Sequence, residues 1–236
     1  MSFASARENV RARRRRSKAL RFYRHFVPQG GLCFDVGASV GERTAIFLEL
    51  GARVVAVEPL EDCANVLKQR FGERIELVEA ALGPEHGEAE LLVANYHTLA
   101  SLSPDWVNAV RASGRFAEFS WDRRVVVPVL TLEELIDRFG VPNFCKIDVE
   151  GFELAVVRGL ARPLAALSFE FDFERIESRL AAVEHLMQLG MTRFNFSYGE
   201  SLTFALDDWV DSDGIVSFLE STPRSTDVFG DVYAIR

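Results

Sequence analysis

The sequence predicts an α/β fold: a doubly wound, mostly parallel sheet with a basic N-terminal helix and an inserted region of loop and edge strands. Three observations carry this. From residue 32 onward, short apolar runs alternate with segments of helical length and spacing. That strand, helix, strand order closes as a parallel sheet with helices on both faces. A glycine-bearing turn follows the first apolar run, where such sheets place a ligand. No apolar run approaches the roughly 18 residues that would span a bilayer, so a soluble protein is expected.

Residues 7–24 hold nine Lys or Arg and one acid, Glu8, so about −16 of charge falls on the rest of a chain whose net charge is −8. The segment lacks Gly and Pro and ends in Leu20, Phe22, Tyr23 and Phe26. It therefore predicts a helix docked by its last turns, with a solvated basic face. Peripheral contact of residues 7–24 with an anionic membrane or an acidic glycan is the functional alternative. No hydrophobic segment or small-residue cleavage site follows, which points to the cytoplasm. Cys33, Cys63 and Cys145 are odd in number and set in apolar surroundings, as reduced core thiols are. The chain divides into a basic helical extension, residues 1–30, and a single domain, residues 31–236.

Within that domain, Leu32-Cys33-Phe34-Asp35-Val36 reads as a strand, residues 40–50 as a helix, 53–57 as a strand, 60–71 as a helix and 75–78 as a third strand. Residues 88–94 and 123–130 read as exposed or edge strands. The polar and aromatic stretch between them, 95–121, is the expected lid or substrate loop. Thr131 and Glu134 form a capping box that opens a helix running to residue 139. Residues 144–148 and 164–171 supply the fourth and fifth core strands. A helix over about 175–189 and strands at 192–196 and 232–235 complete the order.

The loop Asp35-Val36-Gly37-Ala38-Ser39-Val40-Gly41 stands at the carboxyl end of the first strand. A dinucleotide turn wants Gly-x-Gly-x-x-Gly for close approach to a pyrophosphate, and no glycine occupies position 39. Asp35 would repel a pyrophosphate but favours the ammonium of a methionine moiety. Glu58, about 20 residues past Gly37, can accept hydrogen bonds from both ribose hydroxyls of an adenosine. The expected cofactor is S-adenosylmethionine.

These residues resemble the FkbM-type methyltransferases of the Rossmann-like S-adenosylmethionine class. The resemblance rests on Phe34-Asp35-Val36-Gly37-Ala38-Ser39-Val40-Gly41, Val57-Glu58-Pro59, Ala80-Ala81-Leu82-Gly83, Ala100-Ser101-Leu102, Val129-Leu130-Thr131-Leu132 and Lys146-Ile147-Asp148-Val149-Glu150-Gly151-Phe152-Glu153. These pieces cover roughly residues 31–172, in family order. Ser39 stands where members often have Asn, and Glu133 where they often have Asp. The resemblance implies cofactor binding by Asp35, Gly37, Ala38, Ser39, Gly41, Glu58, Pro59, Ala80, Ala81, Ser101 and Asp148. It implies methyl transfer to a hydroxyl oxygen of a sugar, glycan or secondary metabolite, with no nucleic acid as partner.

A hydroxyl acceptor must lose a proton, which calls for a base at the carboxyl end of the fourth strand. Lys146 and Asp148 share a strand face, and Glu150 follows at the turn. Asp148 takes the leading role, as base or as the group that positions base, acceptor or cofactor. Lys146 holds it ionised or stabilises an alkoxide, with Glu150 assisting. Glu153 serves the first turn of the next helix. His97, in the insertion, is a second candidate base, since imidazole titrates near neutrality. A divalent cation held by Asp148 with Glu170 or Asp172, as in some related methyltransferases, is possible but not favoured. Acceptor selection falls to the insertion and to a C-terminal segment carrying Trp209, Phe218 and Phe229. The competing functions are a nucleotide-dependent oxidoreductase and a non-catalytic cofactor-binding module.

Overall fold

The computed structural model describes residues 3–96, 99–223, 225 and 228–236, with side chains from residue 10 onward. The elements run α1 (Phe3–Tyr23), β1 (Leu32–Val36), α2 (Glu42–Glu49), β2 (Arg53–Val57), α3 (Glu61–Phe71) and β3 (Ile75–Val78). An inserted set follows: β4 (Ala81–Leu82), β5 (Gly87–Val93), β6 (Ala100–Ser101), α4 (Pro104–Ser113) and β7 (Arg123–Leu130). The chain then returns through α5 (Leu132–Phe139), β8 (Phe144–Ile147), α6 (Glu153–Arg158), β9 (Ala166–Asp172), α7 (Ile176–Gln188), β10 (Arg193–Tyr198), α8 (Ser212–Ser221) and β11 (Phe229–Ile235).

The seven-stranded sheet has the order β10-β11-β9-β8-β1-β2-β3. Strands β9, β8, β1, β2 and β3 pair in parallel, and β11 lies antiparallel between β9 and β10. β1 and β8 are buried along their whole length, because helices cover both faces. That is why they read as apolar runs rather than as alternating ones. The winding reverses between β1 and β8, so their carboxyl ends diverge into a crevice.

Differences from the sequence reading have local causes. α2 begins at Glu42 rather than residue 40, because Gly41 adopts φ 83° and cannot continue a helix backwards. The fourth strand ends at Ile147, leaving Asp148 in the turn. The edge strands at 88–94 and 123–130 pair with each other in a separate four-stranded sheet, β4-β7-β5-β6. Residues 95–121 are not an irregular lid, because α4 lies within them. Ser103 accepts a hydrogen bond from Trp106 N, and Pro104 fills the first turn. The Ser-Pro-Asp start was a readable helix signal. α8, capped by Asp211, was also missed.

The basic helix docks by its last turns. Residues 10–18 are exposed, whereas Ala19, Phe22 and Tyr23 are buried together with Phe26 and Val27 of the following turn. Phe26 stacks on Phe144 at 5.0 Å and on Tyr233 at 5.4 Å between ring centroids. The apolar end of α1 thus completes one layer of the core. Among the described residues, no helix is long and apolar enough to cross a membrane. Phe26→Ala should cost about 3–5 kcal/mol in chemical denaturation, the usual loss for a buried aromatic. Arg13→Ala on the exposed face should stay within about 0.5 kcal/mol.

Candidate active site

Two turns meet at the crevice. After β1, Gly37 N and Ala38 N both donate to Val57 O at 3.0 Å, which draws the turn over the end of β2. Gly37 has φ 78°, and a Cβ there would stand 1.8 Å from the carbonyl oxygen of Asp148. Only glycine permits that approach, which seats the first turn on the second. Asp148 N in turn donates to Val36 O at 2.9 Å. Gly41 is needed for a different reason, since a Cβ would meet the Phe71 ring at 2.4 Å. Ser39 has φ 49°, a region in which Asn is more at ease than Ser.

Acids gather around these turns. Asp35 is buried and accepts from Thr44 Oγ1 at 2.5 Å. The two oxygens of Glu58 accept from Ser39 N and Leu60 N, each at 2.8 Å. Burial pushes both carboxyls up, and these hydrogen bonds oppose it. Lys146 lies beneath, fully buried, with Nζ 2.7 Å from Asp231 Oδ1 and 3.2 Å from Asp148 Oδ2. Burial works against its charge, but Asp148 and Asp231 outweigh it and hold the ammonium well above the ordinary lysine value. The Asp148 side chain itself is 40% exposed, open to the crevice.

The second turn is held from behind. Glu153 Oε1 accepts from Val149 N and Gly151 N, both at 3.2 Å, and its other oxygen pairs with Arg179. Arg179 also reaches Asp172 Oδ2 at 3.0 Å, and Trp106 Nε1 donates to that same oxygen at 2.7 Å. Glu153, Asp172 and Arg179 have no solvent exposure. A Cβ on Gly151 would stand 2.2 Å from the Trp106 indole, so α4 packs directly on the turn. Ser101 Oγ donates to Glu150 O at 2.5 Å, and Glu150 has φ 52°.

A cavity of about 350 Å³ opens above both turns. Asp35, Gly37, Ala38, Ser39, Glu58, Pro59, Ala80, Ala81, Asp148 and Glu150 line it. Gly41, Ser101 and Lys146 stand behind that lining, where Gly41 packs on Phe71, Ser101 holds Glu150 and Lys146 braces Asp148. His97 lies outside the described residues. Glu153 supports the turn as well as its helix. Arg43, which the sequence reading missed, lines the cavity and pairs with Glu200 at 2.5 Å.

Glu170, Asp148 and Glu150 place one carboxylate oxygen each within 4.8 Å of one another. Asp172 is not part of that group, being engaged by Arg179 and Trp106. Burial, followed by the surrounding carboxylates, drives Glu150 and Glu170 well above the usual range. Carboxyls this close relieve their repulsion by sharing a proton.

A parallel sheet whose winding reverses at a glycine turn, with acids at the ends of β1 and β2, is the arrangement of a fold built to take a nucleoside cofactor. Residues 35–212 match the family described as the methyltransferase FkbM domain, and the chain belongs to that family. It is a methyltransferase, and S-adenosylmethionine is its cofactor. A curated relative, ribosomal RNA small subunit methyltransferase A of Anaeromyxobacter dehalogenans (strain 2CP-C), is 49% identical over 51 residues, 22% of this chain and 18% of that protein. Solved structures similar to this chain include precorrin-6y C5,15-methyltransferase from Geobacter metallireducens GS-15, with TM-score 0.49, 12% identity and coverage of 94% of this chain and 87% of that one. A TehB-like SAM-dependent methyltransferase from Corynebacterium glutamicum ATCC 13032 Kitasato has TM-score 0.48 and 12% identity, covering 98% and 100% of the two chains.

Two outcomes test this electrostatic arrangement. Arg179→Met leaves Glu153 and Asp172 facing each other without a cation and should destabilise the fold by about 3–5 kcal/mol, read by denaturant titration. Glu150 and Glu170 titrate above their unfolded value of about 4.3. Their contribution to stability is therefore full below that value and lost as pH rises through the raised native range. In thermal unfolding, Glu170→Gln should be neutral near pH 4 and should gain on the parent protein by a few °C as pH rises to 8.

Proposed function

We propose that this methyltransferase acts on the hydroxyl oxygen of a small neutral or cationic acceptor, a sugar, glycan or secondary metabolite. The carrying observation is the Asp148 carboxylate, open to the cavity and braced from below by Lys146. The residues fit the cofactor. Gly37, Ala38 and Ser39 line the cavity beside Glu58 and Asp35, and this reading gives the ribose hydroxyls to Glu58 and the amino acid end to Asp35. Bound there, S-adenosylmethionine supplies a methyl group on a sulfonium that leaves as a neutral thioether.

The chain's own part is to orient and deprotonate the acceptor. Asp148 accepts the hydroxyl proton as the oxygen turns towards the methyl carbon. The Lys146 ammonium beneath it, 3.2 Å from Asp148 Oδ2, holds that carboxylate in place and offsets charge growing on the oxygen. Leu91, Leu102 and Phe152 supply an apolar wall that excludes competing water.

Charge selects the acceptor class. The cavity is lined by Asp35, Glu42, Glu58, Asp148, Glu150 and Glu200. Among the described residues, Arg43 is the one Lys or Arg lining it, and it is already paired with Glu200. Burial pushes the carboxyls of Asp35, Glu58 and Glu150 up, so the acidic character of the wall rests on Glu42, Asp148 and Glu200, which disfavours phosphate-bearing acceptors, nucleic acid among them.

The test is incubation with methyl-labelled S-adenosylmethionine and host extract separated into small-molecule, glycan and RNA fractions. Label is expected in a small-molecule or glycan fraction as an acid- and base-stable methyl ether. Label in RNA would overturn the acceptor class. Cofactor binding by calorimetry with no labelled product in any fraction would favour a non-catalytic module. Asp148→Asn should lower transfer by about 10²–10⁴-fold, the usual worth of a general base.

A further inference from the structure

We propose that Asp231, on the antiparallel strand β11, is the positioning residue of this site: it anchors the Lys146 ammonium, which in turn aims the Asp148 carboxylate at the acceptor. The inference rests on the role given above to Asp148.

The register makes Asp231 conspicuous. It stands directly opposite Glu170 across the antiparallel β9–β11 pair. Two carboxyl groups facing each other in a sheet are an unfavourable pair unless one keeps its proton or finds a cation. Asp231 is nevertheless buried, with 7% of its surface exposed. Its 2.7 Å contact with Lys146 Nζ accounts for its presence. A carboxylate placed there serves the lysine.

Lysine requires such an anchor. Its ammonium ends a flexible four-carbon stem and has three donors that rotate freely, so one partner does not fix where the charge sits. Two partners do. Asp231 at 2.7 Å and Asp148 at 3.2 Å hold Nζ between β11 and the turn after β8. The other groups around it restrict it further. Asp35 of β1 and Ser168 of β9 are its register neighbours on either side. Tyr23 of α1 and Arg43 of α2 also act electrostatically on it, Tyr23 favouring its charge and Arg43 opposing it. With Asp231 removed, the shorter of the two contacts is lost and Nζ is free to close on Asp148 or swing towards Asp35. Either movement takes the Asp148 carboxylate out of line with the acceptor.

The arrangement also explains the placement of β11. An antiparallel strand beside β9 brings a side chain from the last seven residues of the chain beneath a turn made by residue 148. Lys146 spans the gap from β8 across β9 to reach it.

A double-mutant cycle tests the proposal on the full chain, using label transfer from S-adenosylmethionine into the reactive extract fraction. Asp231→Asn should lower kcat by up to about 100-fold, as sub-ångström misplacement of a reacting group does, while calorimetry shows unchanged S-adenosylmethionine affinity. The Asp148→Asn/Asp231→Asn double variant should transfer no more slowly than Asp148→Asn alone, because both changes act through one carboxylate. Additive losses, or full activity in Asp231→Asn, would overturn the proposal. Full activity in Asp148→Asn would instead show that the base assignment is wrong, so the two failures are distinguishable. If Asp231→Asn does not fold, Lys146→Met/Asp231→Asn removes the buried pair together. It should restore the thermal midpoint but not turnover, and recovery of turnover would count against the proposal.

Discussion

The carboxylate of Glu153 is buried without solvent contact, takes two backbone N–H groups of the turn after β8, and faces the guanidinium of Arg179. An unpaired charge at that depth would cost several kcal/mol, so the turn, the start of α6 and α7 must keep their relation for the pair to survive. That requirement fixes the backbone carrying Asp148 and Glu150. The first turn then has only one way to lie, because Gly37 rests on the Asp148 carbonyl. The turn after β1 and the turn after β8 are therefore one packed unit.

Around that unit the protein accumulates negative charge and answers it with few cations. Arg179 neutralises the rear of the site and Lys146 its floor, while burial and the neighbouring carboxylates hold Glu150 and Glu170 well above the usual range. That balance is what the proposed function draws on, a wall suited to a sulfonium cofactor and a neutral acceptor. The cost of confining these acids is a fold that loses stability as they ionise, a compromise common at sites whose groups must be poised rather than satisfied.

Both additions to the sheet act as braces. The aromatic end of α1 packs beneath the sheet through Phe26, Phe144 and Tyr233, and Tyr23 faces the Lys146 charge. The inserted module sets Trp106 against Gly151 and its indole N–H on Asp172. An irregular lid was expected in that region. What lies there is the helix α4, whose Trp106 supports the acidic turn.

The sequence by itself determined the order of the core strands β1, β2, β3, β8 and β9 and the helices α2, α3 and α5 between them, the glycine turn, and the acids at the ends of β1, β2 and β8. Those features are local, written in apolar spacing, in glycines needed at positive φ and in carboxylates at strand ends. It also carried the Thr131–Glu134 capping box, which the structure reproduces. Tertiary structure alone decided which distant side chains complete the site. Asp231 meets Lys146 across 85 positions, Trp106 meets Asp172 across 66 and Arg179 meets Glu153 across 26. No spacing rule links such pairs, because each contact is set by strand order and register, which form only when the whole sheet has closed.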